Sequence, residues 1–207
     1  MSRTELSFPS NPFSTRFVRP GALPYLFPAG ADVAGLAERF LAGPGGAAVV
    51  GPHGSGKSTL LAALREPLER AGLCLHWVRL HDGRRWLPRA SAEPARLGPQ
   101  DVLIVDGYEQ LSLLERLRIA WHRRRRRFRL LATAHQDVGL PVLWRTAVDP
   151  QTVERIVLAL AGSWRPPLTP EAVAAARARH GSNVREVLFD LYDLLERAGA
   201  ARRPNQT

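Results

Sequence analysis

The stretch Gly51-Pro52-His53-Gly54-Ser55-Gly56-Lys57-Ser58-Thr59 holds the residues best suited to chemistry in this chain. It satisfies G-x-x-x-x-G-K-[ST] at every fixed position, the spacing of a loop that wraps phosphate. Glycines let backbone N–H groups turn inward around an anion, and a helix starting at the loop's end adds its positive pole. Lys57 would reach the β- and γ-phosphates of a nucleoside triphosphate, and the Ser58 hydroxyl would bind Mg2+. The chain has 29 Lys+Arg residues, and Lys57 is its single lysine. A compact ammonium on a flexible stem thus stands where this chemistry asks for one, and arginine's planar fork serves elsewhere. ATP and Mg2+ are the expected cofactors.

A second group lies about fifty residues on, in Val102-Leu103-Ile104-Val105-Asp106. Four consecutive branched apolar residues are what a strand buried on both faces shows. Asp106 then falls at the strand's C-terminal end, where open α/β sheets bind ligands. A carboxylate there supports Mg2+ opposite Ser58. Glu109 is a candidate general base for an attacking water, or a first-turn acid favoured by a helix dipole. Leu130-Leu131-Ala132-Thr133-Ala134-His135 reads as another strand ending on the same edge, so Thr133 or His135 could sense the γ-phosphate or its water.

These residues need a sheet to align them. Ala47–Val50, Leu73–Leu80 and Leu143–Val148 read as three further strands. Cys74 reads as a small buried apolar residue, and His76 and His81 lack partners at metal-binding spacing. Helices are expected over Asp32–Leu41, from the phosphate loop to about Arg70, and from Leu111 to about Arg127. Pro67 predicts a kink or early end in the second. The third carries apolar residues at 111, 113, 114, 117, 120 and 121. The segment 82–100, rich in Gly and Pro, reads as a loop. Five strands with helical crossovers predict a three-layer α/β fold around a parallel sheet.

The flanks differ in character. Residues 1–30 interleave five prolines with five aromatics (Phe8, Phe13, Phe17, Tyr25, Phe27), which predicts an extended arm packed on the domain, with the adenine base as one neighbour. A nucleotide-binding core spans 31–150. A three-helix appendage follows over 151–199, its second helix opened by Thr169-Pro170-Glu171 and its third capped by Ser182 and closed by Gly199. Residues 200–207 read as a disordered tail. Arg185 stands in the first turn of the third helix, where the dipole disfavours a cation by ~0.3–1 kcal/mol. A phosphate within reach would account for it.

Composition bounds the rest. The chain has 207 residues, is 45% hydrophobic and contains one cysteine, so no internal disulfide forms. No run approaches the roughly 20 apolar residues that span a bilayer, and Met1–Glu5 leads into no apolar signal core. A cytoplasmic setting with no membrane partner is expected. The net charge of +10 and the run Arg123-Arg124-Arg125-Arg126-Arg127 favour an anionic partner, nucleic acid first.

The phosphate loop, the Val102–Asp106 strand, the Thr133 strand end and the helical segment opened by Ser182-Asn183-Val184-Arg185 resemble a small AAA+ ATPase over roughly residues 35–199. The resemblance implies sheet order 5-1-4-3-2 with nucleotide between sheet and helical lid. It implies a second-sensor role for Arg185, a finger role in trans for Arg145, and hence a homo-oligomer built through the ATP site. Two departures stand out. Gly107 follows Asp106 where that family usually has Asp-Glu, and the usual Asn of the first sensor is not obvious. Three functions follow: an AAA+ type ATP hydrolase, a nucleotide-dependent switch or adaptor with little turnover, and a phosphate-loop small-molecule kinase. The last lacks a substrate lid inside the core.

Overall fold

The computed structural model describes residues 11–14, 18, 23–80, 83–88, 93–163 and 167–200. His81, the outer arm aromatics Phe8 and Phe17, and residues 201–207 of the tail expected at 200–207 lie outside them, while Ala200 ends the last helix. The described chain divides into two compact units. One spans Pro24–Ala147. The other combines the residues before Pro24 with those from Val148 on.

The first unit opens with α1 (Val33–Ala42), whose N-cap Asp32 accepts a hydrogen bond from the Gly35 N–H. There follow β1 (Gly46–Val50), α2 (Lys57–Arg70), β2 (Cys74–Arg79), β3 (Asp101–Asp106), α3 (Leu113–Arg126), β4 (Arg129–Ala134) and β5 (Val142–Arg145). Every strand pairing is parallel, in the order β2-β3-β4-β1-β5, which is the expected 5-1-4-3-2 read from the other edge. Strand periodicity sorts the core into two layers. Val102, Ile104 and Leu131 pack on the side of α1 and α2, with Leu60, Leu64 and Phe40. Leu103, Val105, Leu130 and Ala132 face the other way, toward Ile119 and Phe128. Each fully buried aliphatic side chain contributes about 1.5–3 kcal/mol.

Three local expectations are corrected. Pro67 does not end α2, which runs on to Arg70. The proline sits in the last turn, so only one intrahelical donor is lost. Cys74 is exposed rather than buried, because it opens β2 at the sheet's edge. The third crossover is not helical from Leu111: Tyr108–Gln110 form a 3-10 turn, and Ser112 caps a helix that begins at Leu113. That helix turns Glu115 and Ile119 inward and leaves Leu113, Leu114, Leu117 and Trp121 outside.

The second unit holds α4 (Pro150–Ala161), α5 (Pro170–His180) and α6 (Val184–Ala200). Asp149 and Thr169 cap the first two, each followed by proline at the first helical position. Gly199 does not close α6, which includes it. Val157, Val173, Val187 and Leu191 form the core, and Phe13 is fully buried among them. Asn11 ties that segment down, donating from Nδ2 to the Tyr192 carbonyl at 3.0 Å and to Glu196 Oε1 at 2.9 Å.

Candidate nucleotide site

The phosphate loop joins the end of β1 to the start of α2, so it lies at the C-terminal edge of the sheet. Gly54 and Gly56 adopt φ 67° and 88°, backbone that L side chains rarely take. Gly51 is required for a different reason: a Cβ there would run into the hydroxyl and carbonyl of Thr146. Thr146, just past β5, is buried. Its Oγ1 lies 2.6 Å from Ser55 Oγ, and its N–H donates to the Val50 carbonyl at 2.8 Å. The end of β5 thus clamps the loop from beneath. Sequence reasoning missed Thr146, since 91 residues separate it from Ser55.

Lys57 is buried, and its Nζ donates to the carbonyls of Gly51 at 2.7 Å and Pro52 at 2.6 Å. Burial lowers its pKa below the usual lysine range, while the charges of Glu109 and Asp106 oppose that shift. Ser58 Oγ donates to Asp106 Oδ2 at 2.8 Å. Thr133 Oγ1 donates to Asp106 Oδ1 at 2.6 Å and accepts from the Gly107 N–H at 2.9 Å. A single hydrogen-bonded chain therefore runs from the start of α2 through the end of β3 to β4. Arg79 Nε lies 3.6 Å from the same carboxylate.

Gly107 decides where the next acid goes. Its φ is 92°, and a Cβ would meet Gln110 Nε2 at 2.7 Å. A glutamate at 107 would be strained there. The glycine instead starts the turn over Tyr108–Gln110 and brings Glu109 against His135, with Oε1 at 2.7 Å from Nδ1. The other oxygen, Glu109 Oε2, is buried without a protein partner. His53, exposed in the loop, stacks on His135 at 3.6 Å between ring centroids. Burial lowers the His135 pKa, and the Lys57 charge adds to that, against Glu109.

The core unit thus brings Lys57, Ser58, Asp106, Glu109, Thr133 and His135 together. Arg145 ends β5, exposed, with Val50 as its register partner. Arg185 is exposed in the first turn of α6, on the helical unit. Arg123–Arg127 end α3 and precede β4, which places them at the sheet edge opposite the phosphate loop. Arg124 to Arg127 are exposed, and Arg123 is half-buried. Arg123 Nη1 donates to the Pro44 carbonyl at 3.1 Å, and Arg125 lies over the Trp121 ring at 4.6 Å.

The residues fit Mg2+ in the manner of a nucleotide-borne ion. Two oxygen donors, Ser58 and Asp106, lie together, and no cluster of three His, Cys, Asp or Glu forms a cage among the described residues.

No family model matches the chain, and no curated protein matches it. Among solved structures, the replication initiator DnaA bound to AMPPCP and single-stranded DNA is similar with TM-score 0.56 and 16% identity, over 86% of this chain and 67% of that one. C. elegans PCH-2 is similar with TM-score 0.41 and 12% identity, over 81% and 67%. The chain shares with that DnaA structure an α/β fold, here built on a five-stranded parallel sheet in the order β2-β3-β4-β1-β5.

Proposed function

We propose that this chain binds Mg-ATP and hydrolyses it as an AAA+ type ATPase. The observation that carries the reading is the hydrogen-bonded chain Ser58–Asp106–Thr133 beside a glycine cradle that no side chain at Gly51 would leave open. In this reading the loop amides of Gly54 to Ser58 hold the phosphates, and Lys57 exchanges its two loop carbonyls for phosphate oxygens. Ser58 and Asp106 would hold Mg2+, whose charge would offset that of the transferred phosphoryl group. Glu109 Oε2 accepts a hydrogen bond from the attacking water, with the carboxylate oriented by His135. By the AAA+ resemblance, Arg185 and, from a neighbouring copy, Arg145 would supply the remaining positive charge.

The test is phosphate release by wild type, Lys57→Ala and Glu109→Gln, beside a direct ATP-binding measurement. Lys57→Ala is expected to lose binding. Glu109→Gln is expected to bind and not turn over. Equal turnover in Glu109→Gln and wild type would remove Glu109 from the reaction and favour the switch, which binds ATP and hydrolyses little. The position of Gly107 where an acid usually stands is the observation on that second side.

A further inference from the structure

Among the described residues six large hydrophobic side chains are exposed, and five of them gather around one helix. Leu113, Leu114, Leu117 and Trp121 are 71%, 69%, 57% and 52% exposed, and Trp86 is 55% exposed. The spacing 114, 117, 121 and 113, 117, 121 puts the four on one face of α3. Trp86 is held beside the helix start by its neighbours: Ser112 N–H donates to the Arg85 carbonyl at 2.9 Å, and Leu87 N–H donates to Glu115 Oε1 at 3.3 Å.

The surroundings are basic at both ends. Segments 83–88 and 112–127 contain nine arginines and one acid, Glu115. That acid is buried and engaged by Arg118 at 2.9 Å. Arg116, Arg118 and Arg123 are turned onto protein oxygens. Arg84, Arg85 and Arg124 to Arg127 are exposed. Leucines lead into Trp121, then into the arginines, along ~20 Å of helix.

We infer that this face lies on an anionic lipid surface. The patch is one exposed helix face with the Trp86 segment tied beside its start, an arrangement that can lie along a plane. Its outward side is leucine and tryptophan, and among the described residues of 83–88 and 112–127 the only acid is the buried Glu115, the composition of an interfacial helix. Nucleic acid would satisfy the arginines and leave three leucines in water. The absence of a spanning segment led to an expectation of no membrane partner. A surface-lying contact needs no span, and no helix among the described residues is long and apolar enough to cross a bilayer.

The experiment is co-sedimentation of the full chain with vesicles of phosphatidylcholine alone and of phosphatidylcholine with one-quarter phosphatidylglycerol, across a salt series. Single-stranded DNA binding is measured in parallel. Wild type is expected on the anionic vesicles only. Leu114→Gln/Leu117→Gln should lower partitioning at least tenfold, and Arg124→Gln/Arg125→Gln/Arg126→Gln roughly a hundredfold at low salt. Brominated lipid should quench wild-type tryptophan emission more than that of Trp86→Phe/Trp121→Phe. These substitutions are on exposed side chains, and circular dichroism with ATP binding verifies the fold of each variant. No partitioning of wild type onto anionic vesicles overturns the inference. So does a result in which the leucine variant partitions like wild type. If that same leucine variant loses DNA binding instead, the face is a nucleic-acid surface.

Discussion

His135 Nδ1 lies 2.7 Å from Glu109 Oε1, so a residue at the end of β4 and one in the turn after β3 share a proton position beside Lys57. Burial, and then the Lys57 charge, hold the His135 pKa below the usual 6.5 or so. The imidazole is neutral at pH 7, with Nδ1–H donating to the carboxylate. A depressed histidine pKa stabilises the fold above pH 6.5 and loses that contribution as pH falls through the folded-state value. Wild type should therefore lose more thermal stability between pH 7.5 and pH 5.5 than His135→Asn does. Parallel unfolding curves for the two proteins would exclude the half-buried neutral imidazole. Glu109→Gln removes the influence that raises this pKa, so the His135 NMR titration should move further down.

Gly107 tests whether backbone, rather than side-chain identity, places that acid. A non-glycine residue at left-handed φ costs about 1–2 kcal/mol, and here the added Cβ also meets Gln110. Gly107→Ala should lower the unfolding temperature and lower phosphate release by tenfold or more, with ATP affinity little changed. Gly107→Glu should not raise turnover, although it restores the commoner pair of acids. An increase in phosphate release there would mean that Glu109 is not the acid that matters.

Much of this site was legible because its signals are local. The phosphate loop is nine consecutive residues, and a strand buried on both faces announces itself as Val102–Val105. What was not legible depends on distance or direction. Thr146 meets Ser55 across most of the core unit, and nothing in its own neighbourhood marks it. The inward face of α3 was hidden because apolar residues occur on several sides of it. Burial of Glu115, made tolerable by Arg118, turned the leucines outward. Gly107 was visible as a missing acid, and its positive φ shows why none is tolerated there.

Lys57 Nζ donates to two loop carbonyls, those of Gly51 and Pro52. Burial depresses its pKa, with Glu109 and Asp106 opposing. A lysine with a lowered folded-state pKa detracts from stability while protonated, and that loss disappears as pH rises past the unfolded value near 10.4. Without nucleotide, Lys57→Met should be at least as stable as wild type at pH 7, with the difference closing at high pH. Its ATP affinity should drop roughly a hundredfold. A less stable Lys57→Met at pH 7 would show instead that the two carbonyl bonds outweigh the cost of burying the ammonium.

Tyr25 braces the loop from the other side. A Cβ on Gly56 would meet its ring at 3.3 Å, and its hydroxyl accepts a hydrogen bond from Trp144 Nε1 at 3.1 Å. Phe27 bridges the two rings edge-on, with centroids 4.8 Å from Tyr25 and 5.7 Å from Trp144. The contact is mostly apolar, so ring and hydroxyl should separate by substitution. Tyr25→Phe loses one partly buried hydrogen bond, about 1 kcal/mol of stability, and should bind ATP like wild type. Tyr25→Ala removes the ring from Gly56 and should weaken ATP binding several-fold, with a larger change in Trp144 emission. Burial raises the Tyr25 pKa above its usual 10, so the hydroxyl stays protonated and affinity should show no tyrosine titration between pH 7 and 9. If Tyr25→Phe and Tyr25→Ala weaken binding equally, the hydroxyl, rather than the ring, holds the loop.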